Sequence, residues 1–459
     1  MIALATSLLL SSSSAIPVGV SPRLELVCTI FRLAECSEYA NAPKYPYVER
    51  VDAHFGKFKS HTTVQFVEQL RSKYSIGFDR VASFAAHIHP TKWEWRIKPS
   101  ELPGSLHRGF PPEVAQEFLK KVETFAKDTR ADEFYLREKS FFKAVEQRFS
   151  ELLAQKPYRK WIEGVFGSQK SNTFQAIPGL LIGGSNYGMS VRMPKGNTFI
   201  CPMIGVWQVD KEGMPVFDQS DSGTVVHEFC HVFTNPLIDA HLRAFGETGD
   251  QLYEARKNIF YPQAYGSGRI ILYETMVRVG TIMAARELDT PANAAIAEEE
   301  EHRRGFLWAG ELATLLQRLR KENPGKTLGA FMPQVVEFMN KVPSTMEARL
   351  AALPKILKTT PASGATVKAD VQELVIEFSE PMDTARRGTS GLPLGQWPDG
   401  TAKGKWSEDG KTLRFPLKLV PGQKYEVTVG DLWNPSYRST KTGLPLEPVP
   451  IKFTVEGSK

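Results

Sequence analysis

Cysteine is scarce in this sequence. Cys28, Cys36, Cys201 and Cys230 are the four in 459 residues, which excludes a disulfide scaffold. Cys28 and Cys36 fall in "RLELVCTIFRLAECSEY", which reads as one helix. Their separation spans about 12 Å of helix, and a bridge needs Cα atoms within about 7 Å. They cannot pair on that helix, so packing must hold the chain together. Long apolar runs are also missing, which excludes a membrane-spanning helix, and no internal repeat points to a solenoid. Charge of one sign is not in excess either. The formal net charge is +6, Lys and Arg are scattered, and no nucleic-acid motif occurs, so nucleic acid is not an expected partner.

No Lys or Arg precedes Arg23 in "MIALATSLLLSSSSAIPVGVSPR". The positive end of an export leader is thereby reduced to the terminal amine. The rest of a leader is there: an apolar stretch from Ile2 to Leu10, then Ser13 and Ala15 placed for signal-peptidase cleavage. Residues 1–20 are expected to be a signal peptide, which makes the protein secreted or periplasmic. No Leu-x-x-Cys accompanies the stretch, so no lipid anchor is expected.

From residue 21 to about 160 the pattern is helical. "HTTVQFVEQLRSKY", "PPEVAQEFLKKVETFAKDT" and "SFFKAVEQRFSELLAQ" repeat apolar residues at three and four. "GLLIGGSNYGMSVR" and "NTFICPMIGVWQV" then read as strands. Helices resume from "YGSGRIILYETMVRVGTIMAARELD" to about Leu353, and the charge run "AEEEEHRRGF" reads as a solvated helical face. Beyond it the period becomes two. Leu374, Ile376 and Phe378 share one side of a strand, as do Leu413 with Phe415, Tyr425 with Val427 and Val429, and Ile451 with Phe453 and Val455. Asp399-Gly400, Asp409-Gly410 and Pro421-Gly422 mark turns between them. The fold class is α+β. A mainly helical domain with a small sheet, residues 21–353, precedes an all-β sandwich, residues 354–459, that should fold by itself and take no part in the chemistry.

The chemistry concentrates in "TVVHEFCHVFTNP". His227 and His231 stand four apart, so a helix puts both on one face, where two neutral imidazoles can hold a metal ion. Zn2+ is the first choice, because it suits few N/O ligands and an open position. Glu228, about 100° around the helix, is displaced from the ligand face and suits a general base acting on water. Cys230 lies beside that face and reads as a small buried residue. Asp221 or Ser222 can cap the helix, and Asn235 before Pro236 should end it. Glu274 in "ILYETMVRV" is the preferred third ligand, because a carboxylate on a buried helix needs a partner. His241 is the rival. Tyr265, in the Gly-rich "AYGSGR", is the candidate to stabilise an oxyanion, ahead of Tyr261 and Tyr273. His87 and His89 read as polar loop residues rather than a second metal site.

These motifs resemble the zincin metallopeptidases, and with Glu274 the gluzincin branch. The resemblance implies His227, His231 and Glu274 as zinc ligands and Glu228 as general base. Many gluzincins carry an Asp four residues after the ligand Glu; Arg278 stands there instead, so the group that orients a ligating histidine is unidentified. "VSPRLELVCTIFRLAECSEY", "HEFCHVFTNPL" and "YETMVR" also resemble an uncharacterised family of exported bacterial zincin-like proteins known as a domain of unknown function. "PASGATVKADVQELVIEFSEPMD", "LVPGQKYEVTV" and "IKFTV" resemble bacterial Ig-like domains, which implies a spacer or a contact with a surface or matrix. The expected activity is zinc-dependent hydrolysis of a peptide or protein substrate. An inactive zincin-fold binding or scaffold protein, and a metal-dependent hydrolase of a non-peptide substrate, are the alternatives. By analogy, an edge strand from "GNTFICPMIGV" would align the substrate.

Overall fold

The computed structural model describes residues 15–41, 43–97, 110–167, 172–193, 196–392 and 403–457. The apolar stretch Ile2 to Leu10, Ser13 and the Asp399-Gly400 turn lie outside them. Residues 16–20, read from sequence as the end of the leader, belong to the fold. Ile16 is buried, Val18 bridges Ala176, and the Gly19 amide donates to the Ala176 carbonyl at 3.1 Å. No helix among the described residues is long and apolar enough to cross a membrane. The chain forms two compact units: residues 1–239 with 322–330, and 240–321 with 331–459.

The first unit is built around the helix Pro22–Leu33. Ser21 caps it by accepting from the Leu24 amide, and Pro22 opens it. It is buried on nearly every side, including the polar Glu25 and Thr29. Glu25 is compensated: the Leu180 amide (2.9 Å) and the Tyr47 hydroxyl (3.0 Å) both donate to it. The helix ends earlier than its sequence suggests. Glu35 takes a φ of 58°, its amide donates to Arg32 O, and the Cys36 amide reaches Phe31 O, a left-handed helix stop. That stop is usually signalled by glycine, so a Glu there gives no warning. Cys36 therefore caps the next short helix, Ser37–Ala40, and all four cysteines are free and buried. Helices Thr62–Tyr74, Pro112–Asp128 and Lys139–Ala154 form where the apolar spacing places them. His87 is not a loop residue: it closes the helix Phe78–His87, buried, with Nδ1 2.7 Å from Ser83 O.

The strands that follow are very short. Thr198–Ile200 is the middle strand of one sheet, parallel to Thr173–Phe174 and antiparallel to Ser190–Arg192. Met203–Gly205 is the middle of another, between Ile177–Gly179 and Asn186–Tyr187. The segment "GNTFICPMIGV" therefore offers no edge, because both its strands already pair on either side. Ser190–Arg192 is an outer strand instead.

The second unit contains helices Thr248–Ala255, Gly268–Leu288, Pro291–Arg303 and Met332–Ala351, followed by two four-stranded sheets. Tyr425 pairs with Phe453 and Val427 with Ile451 in one sheet; Leu374 pairs with Phe415 and Ile376 with Leu413 in the other. All eight side chains are buried in one cluster, as the period of two requires. The described turns fall at Gly410 and Gly422, where φ is 66° and 78°. The charge run is not a solvated face. On Pro291–Arg303, Glu299 and Glu301 are buried, because each meets an arginine that sequence distance conceals. Glu299 accepts from Arg386 (3.0 and 2.9 Å) and Arg438 (2.8 Å), both in the β-rich region. That region is thus ion-paired to a helix, not merely tethered.

Candidate metal centre

The helix bearing the histidines runs Gln219–His241. Asp221 caps it from within: its carboxylate accepts from the Asp218 amide at 2.7 Å. Burial pushes that carboxyl up to about 6. Phe229 packs on Phe174 and Phe233 stacks on Phe166 (ring centroids 5.9 and 4.9 Å), which fixes the rotation of the helix. Pro236 does not stop it. The helix continues to His241, with Ile238 buried beyond the proline. Packing there outweighs the lost amide.

His227 and His231 sit one turn apart with their Nε2 atoms 3.2 Å from each other. Two nitrogens about 2.0–2.1 Å from one tetrahedral ion would stand about 3.3 Å apart. The pair is spaced for a shared cation. His231 Nδ1 lies 3.3 Å from Asn235 Oδ1, and because an amide oxygen only accepts, the contact favours the tautomer with Nδ1–H donating and the lone pair on Nε2. The signal is present in the sequence as the four-residue spacing of His231 and Asn235, which puts both on one helix face. Glu228 is buried at 7% exposure. Its carbonyl and the His231 Cβ are approached closely by Gly188: a Cβ there would lie 2.5 and 2.7 Å from them. Cys230 is fully buried, burial pushes its thiol well up, and it lies outside the group formed by His227, His231 and Glu274.

Glu274 is on the helix Gly268–Leu288, capped by Ser267. The start of this helix is tightly seated: a Cβ on Gly268 would lie 2.3 Å from the Asp250 amide. Below it, the Trp308 indole donates to Thr275 Oγ1 at 3.2 Å. Glu274 Oε2 accepts from Tyr265 (3.1 Å) and from Arg278 (3.2 Å). Arg278 also donates to Tyr265 and to Glu301 and is 2% exposed. Two buried carboxylates, Glu274 and Glu301, thus share the Arg278 guanidinium. Burial pushes the Tyr265 phenol well up, so it stays protonated and donates.

One ligand atom from each of His227, His231 and Glu274 lies within 4.8 Å of the other two. Among the described residues no other group of three His, Cys, Asp or Glu is so placed. His241, ten residues along the same helix from His231, is about 15 Å further on and outside the group. His87 and His89 form no such cluster. Tyr261 is 71% exposed, and Tyr273 accepts from Arg269 at 2.7 Å.

A family model described as a domain of unknown function (DUF4932) matches residues 16–338, and one described as a bacterial Ig-like domain matches residues 351–441. No curated protein matches the chain. Among solved structures, CopC from Methylosinus trichosporium OB3b matches at 20% identity over 23% of this chain and 96% of that one, with a TM-score of 0.17. The S-layer protein rSbsC(31-844) matches at 12% identity over 86% of this chain and 46% of that one, with a TM-score of 0.18. At such scores neither likeness bears on function.

Proposed function

The chain belongs to the DUF4932 family, with a bacterial Ig-like domain after it, and we propose that it is a zinc-dependent metallopeptidase. The observation that carries this reading is the 3.2 Å spacing of the His227 and His231 Nε2 atoms, with Glu274 as the third ligand. Two neutral imidazoles and one carboxylate are a donor set that zinc favours in hydrolytic sites, where it leaves a position open. Bound zinc would supply Lewis acidity towards water and a carbonyl. The remaining work falls to the chain. Glu228, one residue from a ligand and largely buried, accepts a proton from the attacking water and returns it to the departing nitrogen. Asn235 keeps His231 in the tautomer that binds through Nε2.

A peptide is favoured as substrate by the outer strand Ser190–Arg192. It begins two residues after Gly188, which rests on the backbone of Glu228, so its ladder groups could align an extended chain beside the base.

The test is a panel of peptide and ester substrates, with zinc content measured in parallel. Wild type should cleave peptides, and Glu228→Gln should keep its zinc and lose about 10²–10⁴-fold in turnover. Glu274→Ala should purify with far less zinc, and His241→Ala with its full complement. Equal turnover by wild type and Glu228→Gln would defeat the catalytic reading. Loss of zinc from His241→Ala but not from Glu274→Ala would defeat the ligand set.

A further inference from the structure

Glu274 does not meet a metal as a free carboxylate. Its Oε2 already accepts two hydrogen bonds, from the Tyr265 hydroxyl at 3.1 Å and from Arg278 at 3.2 Å. Arg278 is itself held. Its other nitrogen is on Glu301, its guanidinium lies 4.6 Å over the Phe306 ring, and it is 2% exposed. A planar, permanently charged fork can bridge two carboxylates and a hydroxyl at once; a lysine ammonium has no such fixed geometry. Resting on the zinc reading above, we propose that Arg278, anchored by Glu301, is a positioning residue that pins Glu274 Oε2 and leaves Oε1 as the single oxygen offered to the metal. Pinning one oxygen with two donors stops the carboxylate from rotating or binding through both oxygens. Groups that orient a ligand in this way commonly change metal affinity by about 10–100-fold. Glu301 is what makes a buried arginine tolerable beside a cation site. It balances the guanidinium charge, so Arg278 orients Glu274 without cancelling it.

Removing Arg278 alone would take the shared guanidinium from two buried carboxylates and could unfold the helix pair. The informative variant is therefore Arg278→Met with Glu301→Gln, which removes one charge of each sign at similar volume. We expect this full-length double variant to unfold near the wild-type temperature. It should bind Zn2+ about 10–100-fold more weakly in chelator competition. Its Co2+-substituted form should show altered d–d absorption, because the carboxylate is free to change its denticity. Arg278→Lys should fail to restore either property. Wild-type Zn2+ affinity and Co2+ spectrum in the double variant, while Glu274→Ala has lost zinc, would overturn the positioning role and leave the ligand set standing. Equal Zn2+ affinity in wild type and Glu274→Ala would overturn both.

Discussion

Asn235 stands one helical turn beyond His231, with its Oδ1 3.3 Å from the His231 Nδ1. The two are held one turn apart by the helix itself, and an amide oxygen beside Nδ1 favours the tautomer protonated there, the one that the proposed zinc site requires. Asn235→Ala should weaken Zn2+ binding by about 10–100-fold with little change in helix content. Asn235→Asp, which keeps an acceptor at that place, should restore much of the affinity. Competition with a zinc chelator and far-ultraviolet circular dichroism would separate the two effects.

Gly188 is a second constraint on the same helix. A methyl there would meet the Glu228 carbonyl and the His231 Cβ, both parts of a rigid, packed element. Gly188→Ala should cost about 1–3 kcal/mol, the usual range for overpacking. It should also lower zinc content, because relief comes from moving His231. A variant with wild-type melting temperature and wild-type zinc would show that this contact is slack.

Glu25 gives the first unit a pH dependence. Burial pushes its carboxyl up to about 8 from an ordinary 4.5, against the pull of the Leu180 amide and the Tyr47 hydroxyl. The folded state then holds a proton that the unfolded chain gives up. Stability from this group is complete below about pH 4.5 and is lost as pH rises towards about 8. For a fully buried group the effect is on the order of a few kcal/mol. Glu25→Gln can accept from the Leu180 amide and donate to the Tyr47 hydroxyl oxygen at any pH. It should match wild type near pH 5 and melt several degrees higher near pH 8.5, with the slope between them flattened.

Glu299 is the carboxylate that ties the Pro291–Arg303 helix to the β-rich region through Arg386 and Arg438. Replacing both arginines by Ala leaves that carboxylate buried without a partner, which should cost about 3–5 kcal/mol. Adding Glu299→Gln to the same chain should recover most of the loss. Urea unfolding followed by tryptophan fluorescence would measure both steps, and no recovery would mean that the arginines act through packing.

Local pattern alone was enough for much of this protein. His227, Glu228 and His231 are fixed on adjoining helix faces by spacing, because 3.6 residues per turn admits no other arrangement. Ile376, Phe415, Val427 and Phe453 are fixed in the sandwich core by a period of two. Even Asn235 was within reach of the i, i+4 rule. What stayed hidden depends on partners far away in the chain. Glu301 and Glu299 read as solvent-facing members of a charge run, since only folding brings Arg278 to one and Arg386 and Arg438 to the other. The middle position of Thr198–Ile200 was hidden because pairing on both sides is decided by other strands. The stop at Glu35 was hidden because a non-glycine residue in the left-handed region is held there by two backbone hydrogen bonds, from the Glu35 and Cys36 amides, that no composition announces. Burial of a charge and the pairing of a strand are properties of what packs against a residue; sequence fixes a residue's face on its own element, and only the tertiary structure decides what that face meets.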